Sequence, residues 1–359
     1  MRNCHLLLLL MLFILAFLGC NRYVPVEAVS FWHNDEVVSK PEFTVLADRR
    51  IFATMAFMNA MGYDAEARGM RMHPARLRLR RFLKDKASAY PEQFRRWRKF
   101  YQKANLHNFH YQDFALSLSA DYPFKRIRPD RELGYPFTAQ RLAGFPMVLN
   151  EFWKTCDLDL IWAQVKPDYI EEIAKYDFEK MEYQLEFLWD YLRMERQDRF
   201  VFVTIPNLIE RHYTAIGAQY ENYYYMVESP GAGSHALNIH EYLHSIINPM
   251  IKACYNFQSQ KLDRYFEAGK DHSLAAPYRH NVTYAYECLV RALDKRLCVL
   301  LAETPSTSRR CEKSVLALTR NGLTLVQPFY RLLEEYEQGK NNFAQFFPEM
   351  LNRLPEYSE

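Results

Sequence analysis

Two histidines four residues apart, with a glutamate directly after the first, mark where this chain could do chemistry. They lie in NIHEYLHSIINP, Asn238 to Pro249, as His240, Glu241 and His244. On a helix, positions i and i+4 share a face, so both imidazoles project together and can occupy neighbouring positions around one tetrahedral metal ion. Glu241 then stands beside the ion rather than on it, placed to take a proton from a water that the metal acidifies. Leu237, Leu243, Ile246 and Ile247 give this helix an apolar surface to bury, and Pro249 predicts its end at Asn248.

A catalytic zinc ordinarily has three protein ligands and one open position. The elongated pattern with a third histidine fails here, because Ile247 and Met250 occupy the required glycine and histidine positions. A downstream carboxylate is expected instead. Glu287 in YAYECLVRALDKR is the best placed, within a strongly helical segment that can pack on the first helix; Asp294, Glu303, His272 and His280 are rivals. Tyr284 and Arg291 share the face of Glu287. With His280 and the tyrosines Tyr223–Tyr225, they are the candidates for stabilising an oxyanion. Tyr223 to Val227 is expected to be an edge strand able to pair with an extended substrate.

The elements that must position these residues are mostly helices. Glycine is scarce, at 11 of 359 residues, which argues against a many-turned β-sandwich. Phe43 to Gly62 reads as a buried helix. RMHPARLRLRRFLKDK and PEQFRRWRKFYQK read as two amphipathic helices with solvated basic faces. PDYIEEIAKYDFEKMEYQLEFLWDYLRM reads as one long helix. The period then changes: Phe200 to Ile205 predicts a strand stopped by Pro206, and AIGAQYENYYYMVES a second strand. Pro230, Gly231 and Gly233 make a turn into the histidine helix. TYAYECLVRALDKRLCVLLAE and TLVQPFYRLLEEYEQG are further helices. The expected fold is α+β and predominantly helical. A helical region would span 21–195 and a catalytic region 196–359, with one continuous domain over 40–355 as the alternative.

A hydrophobic fraction of 49% supports a substantial core, and a net charge of +3 makes no demand for a nucleic-acid partner. Residues 1–20 stand apart: Arg2, then a leucine-rich run from Leu6 to Leu18, too short to span a bilayer comfortably and of the length of a signal-peptide core. Gly19 before Cys20 resembles a bacterial lipobox, with Phe17 in place of the usual leucine; it implies a lipidated Cys20 and an exported, envelope-anchored protein. Beyond Cys4 and Cys20, the cysteines are 156, 254, 288, 298 and 311, with no CxxC pair. A cysteine zinc ribbon is excluded, and one disulfide among the last four is compatible with an oxidising compartment.

HEYLHSIINP followed some forty residues later by ECLVRA resembles an uncharacterised family of exported bacterial proteins, the domain-of-unknown-function family numbered 4932. Its pattern is similar to the gluzincin group of zinc metallopeptidases; VLNEFWKTCDL and YEQGKNNFAQFFPEML agree more loosely. The resemblance implies a zincin-like fold, one zinc ion held by His240, His244 and Glu287, Glu241 as general base, and a peptide or protein substrate. Thermolysin-like relatives carry an aspartate four residues after the glutamate ligand, where this chain has Arg291. A rival reading is a surface-binding lipoprotein whose zinc site is structural or degenerate, and a third is hydrolysis of a non-peptide bond. An intact Glu241 favours an enzyme, since a structural zinc has no use for that base.

Overall fold

Short β-branched and aromatic runs build one mixed sheet, and apolar stripes at helical spacing cover it on both sides. In the computed structural model, residues 37–357 are described, apart from 41–42, 67, 197–200, 221–222, 233–237, 255–258 and 279. The leader and Cys20 lie outside the described residues, as does Leu237. Five strands, β1 Val37–Lys40, β2 Phe43–Leu46, β3 Val201–Pro206, β4 Ala215–Tyr220 and β5 Tyr223–Glu228, lie in the order β1-β2-β3-β5-β4. β2, β3 and β5 run parallel, while β1 and β4 are antiparallel to their neighbours. Fourteen α-helices are described, so the fold is α+β and predominantly helical. None is long and apolar enough to cross a membrane.

Eight helices occur between β2 and β3: α1 Arg49–Met61, α2 Pro74–Ala89, α3 Pro91–Ala104, α4 Asn108–Leu116, α5 Thr138–Arg141, α6 Phe145–Cys156, α7 Leu158–Ile173 and α8 Phe178–Leu192. Six follow the sheet: α9 Ile239–Cys254, α10 Ser259–Gly269, α11 Asn281–Leu300, α12 Pro305–Arg320, α13 Val326–Gln338 and α14 Phe343–Arg353. A disulfide between Cys298 and Cys311 ties α11 to α12. Residues 36–359 form one compact unit, in which β2 from the first half pairs with β3 from the second.

The basic stretches form two helices, α2 and α3, as their periodicity predicts. Four expectations need correction. Phe43–Leu46 is a strand ahead of the buried helix; a four-residue strand is too short to show its period beside thirteen helical residues. The long stretch to Leu192 is two helices, because Asp177 starts α8 by accepting a hydrogen bond from the Lys180 amide. AIGAQYENYYYMVES is two antiparallel strands rather than one. Pro249 lies inside α9, which continues to Cys254. It forfeits one backbone hydrogen bond, and the buried Leu243, Ile247 and Ile251 around it hold the helix in place.

The two faces of the sheet carry different loads. On one face Phe202 stacks on Tyr242 of α9 with ring centroids 4.1 Å apart, and Tyr224 lies beside Phe202 at 5.7 Å. Trp189 of α8 donates its indole N–H to the Tyr242 hydroxyl at 3.1 Å, pinning α9 from behind. On the opposite face the Arg50 guanidinium lies 5.9 Å from the Tyr225 ring. Arg50 is buried, pairs with Asp48 at 2.7 Å, and donates to the carbonyls of Leu116 and Leu118. Asp48 also caps α1 through the amides of Arg50 and Ile51. Arg50→Ala strands a buried carboxylate and two carbonyls together. The expected cost is about 3–5 kcal/mol of unfolding free energy by urea denaturation, against roughly 0–1 kcal/mol for loss of an exposed pair such as Arg95–Glu92.

Candidate metal centre

α9 and α11 pack directly on each other, and the sequence motifs meet at that contact. His240 and His244 project from α9 with ring centroids 5.0 Å apart. Glu287 comes from α11, where the run Tyr284, Glu287, Cys288, Arg291 follows the helical repeat. His240 Nε2 lies 3.6 Å from Glu287 Oε1, and His244 Nε2 lies 3.5 Å from Glu287 Oε2. Ligand atoms of the three side chains all fall within 4.8 Å of one another, the one such group among the described residues. Two ligands held at about 2.0–2.1 Å in a tetrahedral arrangement sit roughly 3.4 Å apart, so the three side chains could hold one metal ion.

The surroundings prepare these donors. His244 Nδ1 lies 3.1 Å from Asn248 Oδ1, a contact that orients the ring with Nε2 towards Glu287. Burial lowers the pKa of His240 to about 4 and leaves it neutral. Burial also opposes charge on His244, but the Glu287 hydrogen bond and the Glu241 charge outweigh it and raise its pKa. At Glu287 burial favours the neutral acid; His244, His240 and Arg291 together overcome this and hold the carboxyl well below the usual range. Glu287 Oε1 is buried without a hydrogen-bond donor, although the Arg291 guanidinium forms an ion pair with it. A buried carboxylate set against two imidazole nitrogens suits a cation.

Glu241 keeps a solvent-reachable face while protein packs around its carboxyl, and that burial raises its pKa. Two neighbouring carboxyls are thus shifted in opposite directions. Glu228, at the end of β5, is a third acid on this side of the sheet; burial lifts it to about 7, against the Tyr176 hydroxyl that donates to it at 3.0 Å. Asn238 accepts the Glu241 amide at 3.4 Å and lies near enough to Glu228 to lower its pKa, linking the end of β5 to the start of α9.

Not every expected residue reaches the cluster. Arg291 does, through Glu287. Tyr284 points elsewhere: its hydroxyl donates to the Gly322 carbonyl at 2.7 Å and accepts from the Thr324 amide at 2.7 Å, which fixes α11 to the segment before α13. The hydroxyl that reaches Glu287 belongs to Tyr278, six residues earlier, whose pKa is raised by burial, by the Glu287 charge and by a hydrogen bond to it. Tyr278 lies in a turn, so helical spacing could not reveal it. Of the rival ligands, His272, His280 and Glu303 stay outside the group, and Asp294 pairs with Lys295 at 2.8 Å. The edge strand is β4, not Tyr223–Val227, which β3 and β4 flank. Comparison with protein families, curated proteins and solved structures finds no match to this chain.

Gly217 on β4 is the closest approach of the sheet edge to Glu241. A Cβ there would lie 2.3 Å from the Tyr224 hydroxyl oxygen and 2.9 Å from Glu241 Oε2. Gly217→Ala therefore displaces Tyr224 or Glu241 and should cost about 1–3 kcal/mol. Adding Tyr224→Phe, which removes the nearest clashing atom, should recover part of that loss, read by thermal denaturation of the single and double variants. Glu228 gives a pH signature. With its folded pKa raised to about 7 from 4.5, its contribution is fully present below about pH 4.5 and is lost as pH rises through 7. Glu228→Gln should stabilise the protein at pH 8, by an amount on the order of 3 kcal/mol, and leave it unchanged near pH 4.5.

Proposed function

We propose that the protein is a zinc-dependent metallopeptidase of the gluzincin type, with a zincin-like arrangement of edge strand, histidine helix and glutamate helix. The observation that carries this reading is the convergence of His240, His244 and Glu287 beside an unligated Glu241. Two imidazole nitrogens and one carboxylate match zinc better than calcium or magnesium, which favour all-oxygen sites. A zinc ion held by His240, His244 and Glu287 would supply Lewis acidity for a carbonyl and for a water molecule.

The chain's own residues do the rest. Glu241, with a raised pKa, takes a proton at Oε1 or Oε2 and returns it to the leaving amine. Arg291, half-exposed beside Glu287, presents a fixed positive charge at the same opening. β4 is the sheet edge, and Gly217 lets it approach Glu241 and the Tyr224 hydroxyl closely, so a peptide paired along β4 runs beside the base. An N-terminal lipid on Cys20 would keep the enzyme at the bacterial cell envelope, facing protein or peptide substrates there.

Elemental analysis of the chain beginning at Cys20, with that residue replaced by serine, tests the centre. The expected result is near one zinc per chain, lost in His240→Ala and weakened at least about 10-fold in Glu287→Ala. Glu241→Gln should retain the metal and lose hydrolysis of a peptide library by about 100-fold or more. Zinc-free wild type after supplementation would overturn the reading. Full zinc with no hydrolysis would favour a structural site in a binding lipoprotein.

A further inference from the structure

The loop before α5 carries an aromatic group that the proposed centre does not use. Tyr135 is 41% exposed and Phe137 50% exposed. Both rings lean on His110, at centroid separations of 4.8 Å and 5.2 Å, in edge-on geometry. Phe109 closes the group at 4.1 Å from His110 and 5.4 Å from Tyr135. The Arg141 guanidinium lies 5.9 Å from the Phe137 ring. Exposed aromatic rings held this firmly are pre-ordered for contact, since little rotamer freedom remains to be lost on binding.

Hydrogen bonds anchor this group to the sheet edge. Asp113 of α4 accepts from the backbone amides of Gly134 and Tyr135, both at 3.3 Å. The same Asp113 side chain accepts from the Tyr220 hydroxyl at 2.8 Å, and its carbonyl accepts from it at 2.6 Å. Tyr220 ends β4, three residues from Gly217, where Glu241 approaches the strand. Three residues of extended chain cover about 10 Å. The Glu241 charge is among the causes that raise the Tyr135 pKa, after burial and Asp113, which places the two groups in the same electrostatic neighbourhood.

We infer that Tyr135 and Phe137 form a shelf for an aromatic or large aliphatic side chain of a peptide running along β4, within about three residues of the bond presented to Glu241. This rests on the peptidase reading and adds the substrate class. The main chain of the occupant pairs with the outer edge of β4, and its apolar side chain covers rings that water now touches. A sugar ring could stack on the same rings, but it offers no main chain for a strand edge, so the peptide is favoured.

The probe is a panel of blocked decapeptides, alanine–glycine throughout except for one Phe, Leu, Ser or Lys at each position. Binding is measured by fluorescence anisotropy on the zinc-supplemented mature chain carrying Glu241→Gln, and cleavage by mass spectrometry on wild type. Phe and Leu at one position should exceed Ser by about 10-fold. The preference should fall to about twofold in Tyr135→Ala/Phe137→Ala, with zinc content kept because neither ring belongs to the His240, His244 and Glu287 group. Peptides cut or bound without that preference, or with a preference the double variant keeps, overturn the shelf and leave the peptidase reading standing. Peptides neither bound nor cut overturn both. Binding of chitohexaose that the double variant loses, without peptide preference, overturns the peptide shelf in favour of a sugar platform.

Discussion

Everything at this centre depends on keeping Glu287 charged in a place where charge is costly. The residue is only 7% exposed, and burial alone favours the neutral acid. Two imidazoles and a guanidinium converge on it and reverse that preference. No single helix could supply these groups. His240 and His244 need α9, Glu287 and Arg291 need α11, and Tyr278 needs the turn that leads into α11. The contact between α9 and α11 is therefore the constraint around which the surrounding elements are arranged.

The sheet serves that contact by immobilising α9 from one face while leaving an edge beside it. Tyr242 is fixed between the Phe202 ring and the Trp189 indole, so the helix cannot rotate its histidines away without breaking an aromatic stack and a buried hydrogen bond. The other face is closed by α1, whose Arg50–Asp48 pair is satisfied by carbonyls around the end of α4. The edge itself is interrupted by the absence of a side chain at Gly217. That gap admits the Tyr224 hydroxyl and the Glu241 carboxylate to the same point above β4. A rigid wall and one local opening are what a positioned base requires.

What the sequence disclosed follows the range of the interactions. His240, Glu241 and His244 were legible because their relation lies within one helical turn, and Glu287 because it lies in a strongly helical segment with Tyr284, Arg291 and Asp294 on the same face. The two basic amphipathic helices and the strand at Val201–Pro206 were legible for the same reason. Pro249 misled, because tertiary burial of Ile247 and Ile251 outweighs a local backbone penalty. The hydroxyl of Tyr284 was assigned to the centre from its face alone. Its hydrogen bonds to Gly322 and Thr324, 38 and 40 residues away, carry no local signature. The same holds for Gly217 beneath Glu241 and for Asp113 holding both Tyr135 and Tyr220: contacts across the fold leave no periodic trace.

The opposite shifts of Glu241 and Glu287 give a physical reason to assign them different tasks. Both carboxyls are packed in protein, one residue from His240 in sequence in the first case and 3.6 Å from it in space in the second. Glu287 is surrounded by donors that favour the anion, which suits a permanent ligand. At Glu241 burial is the dominant influence, the Glu287 charge adds to it and the His244 and Arg291 charges oppose it, so its pKa rises. A site with two interchangeable acids would place both in one environment. Here α9 and α11 bring His240, His244 and Arg291 to one carboxyl, while β4 brings a glycine to the other, so the opposite shifts come from the backbone arrangement and not from the residue type.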